Sequence, residues 1–460
     1  MDILRENAKI TLNVSQKIWI LLFLLLCGVL FYLLPCHFVF FLNLFVAFLY
    51  LVVIVYKAIL VVAGAFGKRE LSPLFTEYAY ISEERLPIYT VLLPVYKETE
   101  VISQLIEAIR KLEYPFSKLD VKLLVEENDH KMRHFLAETT LPSFFELIII
   151  PDGKPKTKAR ACNVGLARAR GEFTVIYDAE DIPEPDQLRK SVAAFRAIGD
   201  ESVVCLQAKL NYYNQTQNIL TRWFTVEYSQ WFDLYLPGLD RFQVPIPLGG
   251  TSNHFRTHIL KELGGWDAWN VTEDCDLGMR ISSQGYRTRI LDSTTWEEAN
   301  SLLGNWLRQR SRWVKGYIQT YCVFLRHPFL LAKKLGLRNL ISFHLTIGGQ
   351  FFTLLLNPFY WFATIGWLWF RFLSMGWKGY WVGIDLLTWI LFTGNLFFVA
   401  IGIAGCLKRR FFHLLPAACI SPFYWILMSM GAWKGFCQLF HKPHYWEKTQ
   451  HGLTGSQPPS

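Results

Sequence analysis

Ile18 to Leu34, "IWILLFLLLCGVLFYLL", runs without a charge, and after Pro35 a second uncharged run extends from His37 to Tyr56. About twenty apolar residues in helical form cross a hydrocarbon layer of ~30 Å. A cleaved leader would show one shorter apolar core followed by a small-residue cleavage site. Two runs in succession instead predict a membrane hairpin over residues 1–66. Apolar character returns late, at Ile341 to Leu356, Phe359 to Phe370, Tyr380 to Gly405 and Phe412 to Trp433. Pro358 divides the first two, which read as two short spans or one kinked helix. Residues 339–435 thus form a second membrane block of four helices, or three, ahead of a tail at 436–460.

The chain between these blocks, residues 67–338, has no uncharged stretch long enough to span. With 52% hydrophobic residues and a mean hydropathy of +0.21, the whole is too apolar for an ordinary soluble protein. The nine cysteines are scattered without a C-x-x-C pair, which argues against a zinc or disulfide framework and suits a reducing compartment. The net charge of +9 suggests orientation and lipid contact rather than nucleic-acid binding. Arg5, Lys9 and Lys17 precede the first run, and Lys57, Lys68 and Arg69 follow the second. Both flanks therefore read as cytoplasmic, and with them the central domain of a multi-pass plasma-membrane protein. The N-x-S/T triplets at Asn13, Asn214 and Asn270 are then chance matches.

The central region alternates strand and helix. "IYTVLLPVY" is a buried strand, and the stripe Val101, Ile102, Leu105, Ile106, Ile109 after it has helical spacing. "VKLLVEEND", "FELIII" and "GEFTVIYDAED" give three further strands, so the expected fold class is α/β with a mostly parallel sheet. Ligands bind beyond the carboxyl ends of such strands. Two of those ends carry acids: Glu126–Glu127, and Asp178, Glu180 and Asp181. The second group suits Mg²⁺ or Mn²⁺ on a phosphorylated ligand, and equally a solvated turn before Pro183. Glu126 or Glu127 suits a nucleoside, or is a polar loop. Among the basic residues Lys154, Lys156, Lys158 and Arg160, only Lys158 stands at a small-residue helix start.

"LGGTSNHFR" offers a close backbone approach at Gly250 and a small donor at Thr251, as a substrate loop or a bare hairpin would. "TEDCD" crowds Glu273, Asp274 and Asp276 behind Thr272, a candidate N-cap, where acids favour the positive end of a helix. "RQRSRWVKG" gathers Arg308, Gln309, Arg310, Arg312, Trp313 and Lys315. It reads as a sugar and diphosphate platform or as an interfacial helix, Leu302 to Phe324, entering the bilayer.

With Asp178-Ala179-Glu180, Thr272-Glu273-Asp274 and Gln309-Arg310-Ser311-Arg312-Trp313 in that order between two membrane blocks, the chain resembles the membrane-embedded family-2 glycosyltransferases. These include cellulose, chitin and hyaluronan synthases. The resemblance covers Pro87 to Lys315 and implies a cytoplasmic GT-A domain and a metal-dependent hexosyltransferase. Asp178 and Glu180 would hold Mg²⁺ or Mn²⁺ on the diphosphate of a nucleotide sugar, most simply a UDP-sugar. The second acid of the D-x-D pattern is Glu here, with Asp181 adjacent, so either of those two is the second ligand. Glu126 or Glu127 would meet the nucleoside, with Lys158 near the nucleotide. Asp274 would be the base, and Gln309, Arg312 and Trp313 would line the acceptor and diphosphate site together with Gly250 and Thr251.

"HYWEKTQHG" resembles the gating segments of some synthases, with Trp446 and Thr449 reaching back to the site. That requires a cytoplasmic tail. Four C-terminal spans satisfy it but place Lys408, Arg409 and Arg410 outside, against the charge rule, whereas three place them inside and strand the tail. Trp361, Trp367, Trp369 and Trp381 suit either sugar stacking in a channel or an interfacial belt.

The implied activity is inverting sugar transfer to a growing glycan, processive and coupled to export, with export partner subunits allowed for and no nucleic-acid partner. The alternatives are a single transfer to a lipid-linked acceptor and a catalytically silent receptor or scaffold.

Overall fold

The computed structural model describes residues 6–66, 81–373, 382–449 and 452. The expectations that fall on Arg5, Lys68, Arg69, Tyr380, Trp381 and the extreme tail, and on the Trp367 side chain, lie outside the described residues.

The first apolar run forms helix Val14–Leu33, opened by Asn13, whose side chain accepts from the backbone N–H of Gln16 at 2.8 Å. No residue of this helix is buried. The second run forms helix Pro35–Phe66, which continues ten residues past Tyr56. Lys57, read as a flank, lies inside it. The helix continues because Leu60, Val61 and Gly64 bury against the central domain. Gly64 meets the carbonyl of Leu234, and Gly238 that of Leu60, with no room for a Cβ at either.

Eight strands build one sheet: β1 (Tyr89–Val95), β2 (Leu119–Glu126), β3 (Phe145–Ile150), β4 (Phe173–Ile176), β5 (Ile182–Pro183), β6 (Val203–Tyr212), β7 (Asn253–Arg256) and β8 (Arg287–Glu297). Their spatial order is β3-β2-β1-β4-β7-β6-β8-β5. β1 pairs parallel with β2 and with β4, Tyr89 standing opposite Leu119 and Phe173, and β2 pairs parallel with β3. β7 runs against both β4 and β6, while β6 and β8 are parallel. β1, β2, β4, β6 and β8 therefore all point the same way, and their carboxyl ends open on one crevice.

Side chains of β1 alternate between two cores, as the pleat requires. Val91 and Leu93 pack with Ile102, Leu105, Leu188 and Val192 on one face. Leu92 packs with Leu124, Ile176, Cys162 and Leu277 on the other. A third core crosses the boundary between the domain and the apolar helices: Leu210, Tyr212, Phe224 and Trp306 pack with Leu60, Ala417 and Tyr424.

Beyond residue 327 the apolar stretch Pro328–Gly366 and the helix portion Trp389–Lys408 are each long and apolar enough to cross a membrane, as are the two N-terminal helices. Pro358 sits inside the continuous helix Gly349–Leu373, so the two short spans allowed by the sequence are one. The last apolar segment is a pair, Phe412–Cys419 and Ser421–His441, bent by 66°. Arg409 at the end of helix Val382–Lys408 donates to Asp233 at 2.6 Å and to Thr294 of β8 at 3.1 Å. That end of the helix therefore lies against the central domain.

Candidate active site

The crevice at the strand ends deepens into a cavity of about 640 Å³. Tyr96 and Glu98 beyond β1, Glu126 of β2, Asp178 and Glu180 beyond β4, and Glu297 of β8 line it. Each leaves its strand where ladder pairing stops and the side chain turns into the opening.

The turn after β4 divides its three acids. Asp178 and Glu180 face the cavity. Asp181 is 1% exposed, and its Oδ2 accepts the backbone N–H of Asp178 at 2.7 Å and the hydroxyl of Thr251. Thr251 lines the cavity, and its hydroxyl is engaged by Asp181 and the carbonyl of Ile176. Burial, followed by the nearby charges of Asp178 and Glu98, pushes the Glu180 carboxyl well above its ordinary range.

Lys158 begins helix Lys158–Ala167, whose N-cap Thr157 accepts from Arg160 N–H. Its ammonium forms an ion pair with Asp178 and donates to the carbonyl of Gly250 at 2.6 Å. Burial disfavours this charge, but Asp178 and Glu273 outweigh burial and hold the ammonium protonated. Glu126 lines the cavity, 3.7 Å from Arg160. Glu127 does not: it is exposed and accepts the Asp152 N–H at 2.9 Å.

Thr272 occupies the N-cap position of helix Glu273–Ser283 but makes no side-chain cap bond. Glu273 and Asp274 line the cavity. Asp276, about 200° further round the helix than Asp274, is buried and bonded to Arg280 at 2.7 Å. Burial raises the Asp274 carboxyl above its usual range, although the Cys275 N–H, 2.8 Å from Oδ1, opposes the shift. Burial and Asp274 raise Glu273 to about 7. A methyl on Gly250 would stand 3.6 Å from Asp274 Oδ2 and 4.0 Å from Lys158 Nζ. The glycine thus keeps space open between the two.

Helix Leu303–Phe324 supplies Gln309, Arg312 and Trp313 to the cavity wall. Gln309 accepts from Asn300 at 2.9 Å. Trp313 lies 6.3 Å from Tyr228 with planes 27° apart, and the Arg310 guanidinium is 4.6 Å from its ring. Arg310 is buried against Glu227 and serves as a brace. The segment after residue 441 closes one side. Tyr445 O accepts from Lys315 at 2.7 Å, the Trp446 ring lies 5.2 Å from the Arg312 guanidinium, and Lys448 stands 3.4 Å from Glu98. Thr449 lines the cavity with its hydroxyl buried and unpartnered.

The structure thus brings together Glu126, Lys158, Asp178, Glu180, Gly250, Asp274, Gln309, Arg312, Trp313, Trp446 and Thr449. It takes Glu127 out of the cavity lining and gives Asp181 and Thr251 a bracing bond. Glu98, Glu227, Tyr228, Trp231 and Glu297 were not anticipated. Glu297 sits in "TTWEEAN", an acid pair closing a strand, which is the same signal that marked β2. Trp361 and Trp369 line neither this cavity nor the neighbouring one, and Trp369 is 66% exposed.

Against known families, the model described as "Glycosyltransferase like family 2" matches residues 87–316, half of the chain. A probable glycosyltransferase of Bacillus subtilis, YdaM, is 28% identical over 60% of this chain and 66% of its own. A probable glucomannan 4-beta-mannosyltransferase of Oryza sativa is 27% identical over 50% of this chain and 40% of its own. A beta-monoglucosyldiacylglycerol synthase of Trichormus variabilis is 26% identical over 57% and 56%. Each match spans less than two thirds of the relative. The mannosyltransferase PcManGT of Pyrobaculum calidifontis, solved with GDP-Man and Mn²⁺, aligns over 85% of this chain and 99% of its own, at 18% identity and a TM-score of 0.47.

Proposed function

The chain belongs to glycosyltransferase family 2, and we propose that it moves a sugar from a nucleotide-sugar donor to a glycan acceptor with inversion, from within a membrane. One observation carries this reading. Asp274, a carboxylate whose pKa is raised by burial, faces across the Gly250 gap the Lys158–Asp178 pair, where a diphosphate would lie.

Asp178 and Glu180 would hold Mg²⁺ or Mn²⁺. Two carboxylates suffice, because such ions usually complete their shell with water and substrate phosphates. Held there, such an ion would supply charge neutralisation for the departing diphosphate. Lys158 adds a fixed positive charge on that side, and Glu126 presents an acceptor to the nucleoside. Asp274 takes the proton from the acceptor hydroxyl as that oxygen attacks the anomeric carbon. Its raised pKa brings it nearer the operating pH, which favours general-base action. A single displacement turns an α-linked donor into a β-linked product. Arg312, Trp313 and Gln309 line the acceptor side, with Trp446 and Thr449 closing over it.

The helices supply the acceptor's way out. Lys408 and Arg409 reach the central domain at one end of the bent pair, and the Trp446–Thr449 segment reaches its cavity at the other. We therefore read that pair as re-entrant, with two crossings in each membrane block and the tail on the catalytic, cytoplasmic side. This arrangement removes the conflict between the tail and the Lys408–Arg410 charges. The cavity's aromatic arm, Tyr228, Trp231 and Trp313, leads toward the helices and supports a processive enzyme that exports its polymer. Single transfer to a lipid acceptor is the competing reading, favoured by the glycolipid synthase among the relatives.

Purified full-length protein incubated with a panel of nucleotide sugars and Mn²⁺ tests the proposal. Nucleoside diphosphate release together with a product of many units supports it. A single-sugar glycolipid product replaces it with the competing reading, and no release from any donor overturns both.

A further inference from the structure

Lys57 is the single charged residue in helix Pro35–Phe66, and it does not face lipid. It lines a second chamber of about 180 Å³, enclosed by that helix together with helices Ile219–Gln230, Gly349–Leu373, Val382–Lys408 and Ser421–His441. Among the described residues it makes neither an ion pair nor a hydrogen bond; its ammonium lies 5.1 Å from the Phe398 ring. A cation on an apolar helix that faces an interior chamber marks the path of a ligand. The other charge on the lining, Glu227, is already engaged. Arg310 donates to it at 2.6 Å and Tyr424 at 2.7 Å. Glu227 is thus shared between Arg310 and the field it exerts on Lys57, and the Lys57 ammonium has no direct ion-pair partner of its own among the described residues.

The remaining lining identifies the kind of molecule. Trp223, Trp231 and Trp425 offer stacking faces, and Gln230, Gln350 and Asn395 offer amides. Indoles and amides suit sugar rings with their hydroxyls; an acyl chain would leave the amides unsatisfied. Trp231, Gln350 and Leu354 also line the active-site cavity, so the two spaces share a wall.

We propose that Lys57 selects an anionic acceptor: a glycan whose transferred units carry a carboxylate or phosphate, held by this ammonium as the chain enters the helices. The assignment rests on the glycosyltransferase reading above.

The test is calorimetric binding to the full chain in detergent. The probes are a short oligogalacturonate, a phosphorylated manno-oligosaccharide and a neutral manno-oligosaccharide of equal length. At least one anionic probe is expected to bind about tenfold or more tightly than the neutral one, and which of the two does so tells carboxylate from phosphate. Lys57→Gln should abolish that preference, and Lys57→Arg should keep it. Equal affinity for neutral and anionic probes, or an equal loss for all three in Lys57→Gln, overturns the proposal. So does a Lys57→Gln variant that loses binding of phosphatidylglycerol in mixed micelles while keeping the wild-type preference for the anionic probe, which would give the charge to a lipid. Nucleoside diphosphate release in the same preparation separates the two readings. Release without charge-selective binding discards the anionic acceptor alone, and charge-selective binding without release from any donor discards the transferase reading alone.

Discussion

"DAED" at the end of β4 and "TEDCD" at the start of helix Glu273–Ser283 look alike in composition, and both split into acids that face the cavity and one that does not. They split for different reasons. In the strand-end turn the chain folds back within three residues, so Asp181 caps the Asp178 N–H and anchors Thr251. In the helix the division is rotational, and two residues carry Asp276 to the far side, onto Arg280. The first cluster therefore leaves Asp178 and Glu180 on the cavity wall, the two carboxylates to which the proposed function gives the cation. The second offers Asp274 beside a Glu273 raised to about 7, a pair in which burial favours a proton acceptor over a metal ligand.

If the two clusters divide the work in this way, Asp274→Asn loses the base and keeps the donor site. Transfer should fall by ~10²–10⁴ with donor affinity, measured by titration, nearly unchanged. Equal loss of both would break the distinction. In the wild type kcat/KM should rise with pH through an acid limb lying above the ~3.9 of an ordinary aspartate, because Asp274 must be deprotonated and burial raises its pKa. A limb at or below that value counts against Asp274 as the base. Asp178→Asn should instead weaken donor binding and turnover together, and chelation should reproduce that pattern until Mn²⁺ is restored.

Asp276→Asn tests the rotational half of the argument. Removing one partner of a buried ion pair costs about 3–5 kcal/mol. The expected result is a lower thermal midpoint, with KM for donor little changed in the protein that remains folded. The smallest effect belongs to Glu127→Gln, which should leave donor KM within experimental scatter. A clear rise there would return Glu127 to the nucleoside site.

The strand ends were readable because buried parallel strands are continuous apolar runs, so a following acid marks the edge of the sheet. Asp274 was read from the T-E-D pattern at a helix start, whereas Asp178 and Glu126 were read from strand ends. Glu98 and Glu297 were not, because they join the site through the pairing of β1 with β4 and of β6 with β8, which local spacing does not encode. The choice between Glu126 and Glu127 depended on which way the last pleat of β2 points. Thr251 looked like a free donor because its partner, Asp181, lies seventy positions earlier. Lys57 was read as a flanking charge since hydropathy alone ends the span at Tyr56. The helix continues because Gly64 and Gly238 let two backbones touch. The tryptophans of the second apolar block drew attention by their number, whereas those that line the two cavities are mostly Trp231, Trp313 and Trp446 and their neighbours in the central domain and the tail, with Trp425 from that block.

The core shared by Leu60, Tyr212, Phe224, Trp306 and Tyr424 has a consequence for handling the protein. A fragment cut at the apparent edges of the catalytic domain would uncover one side of a packed aromatic interior, and it should aggregate rather than behave as a free-standing enzyme. The unit that folds is the sheet together with the helices that close this core.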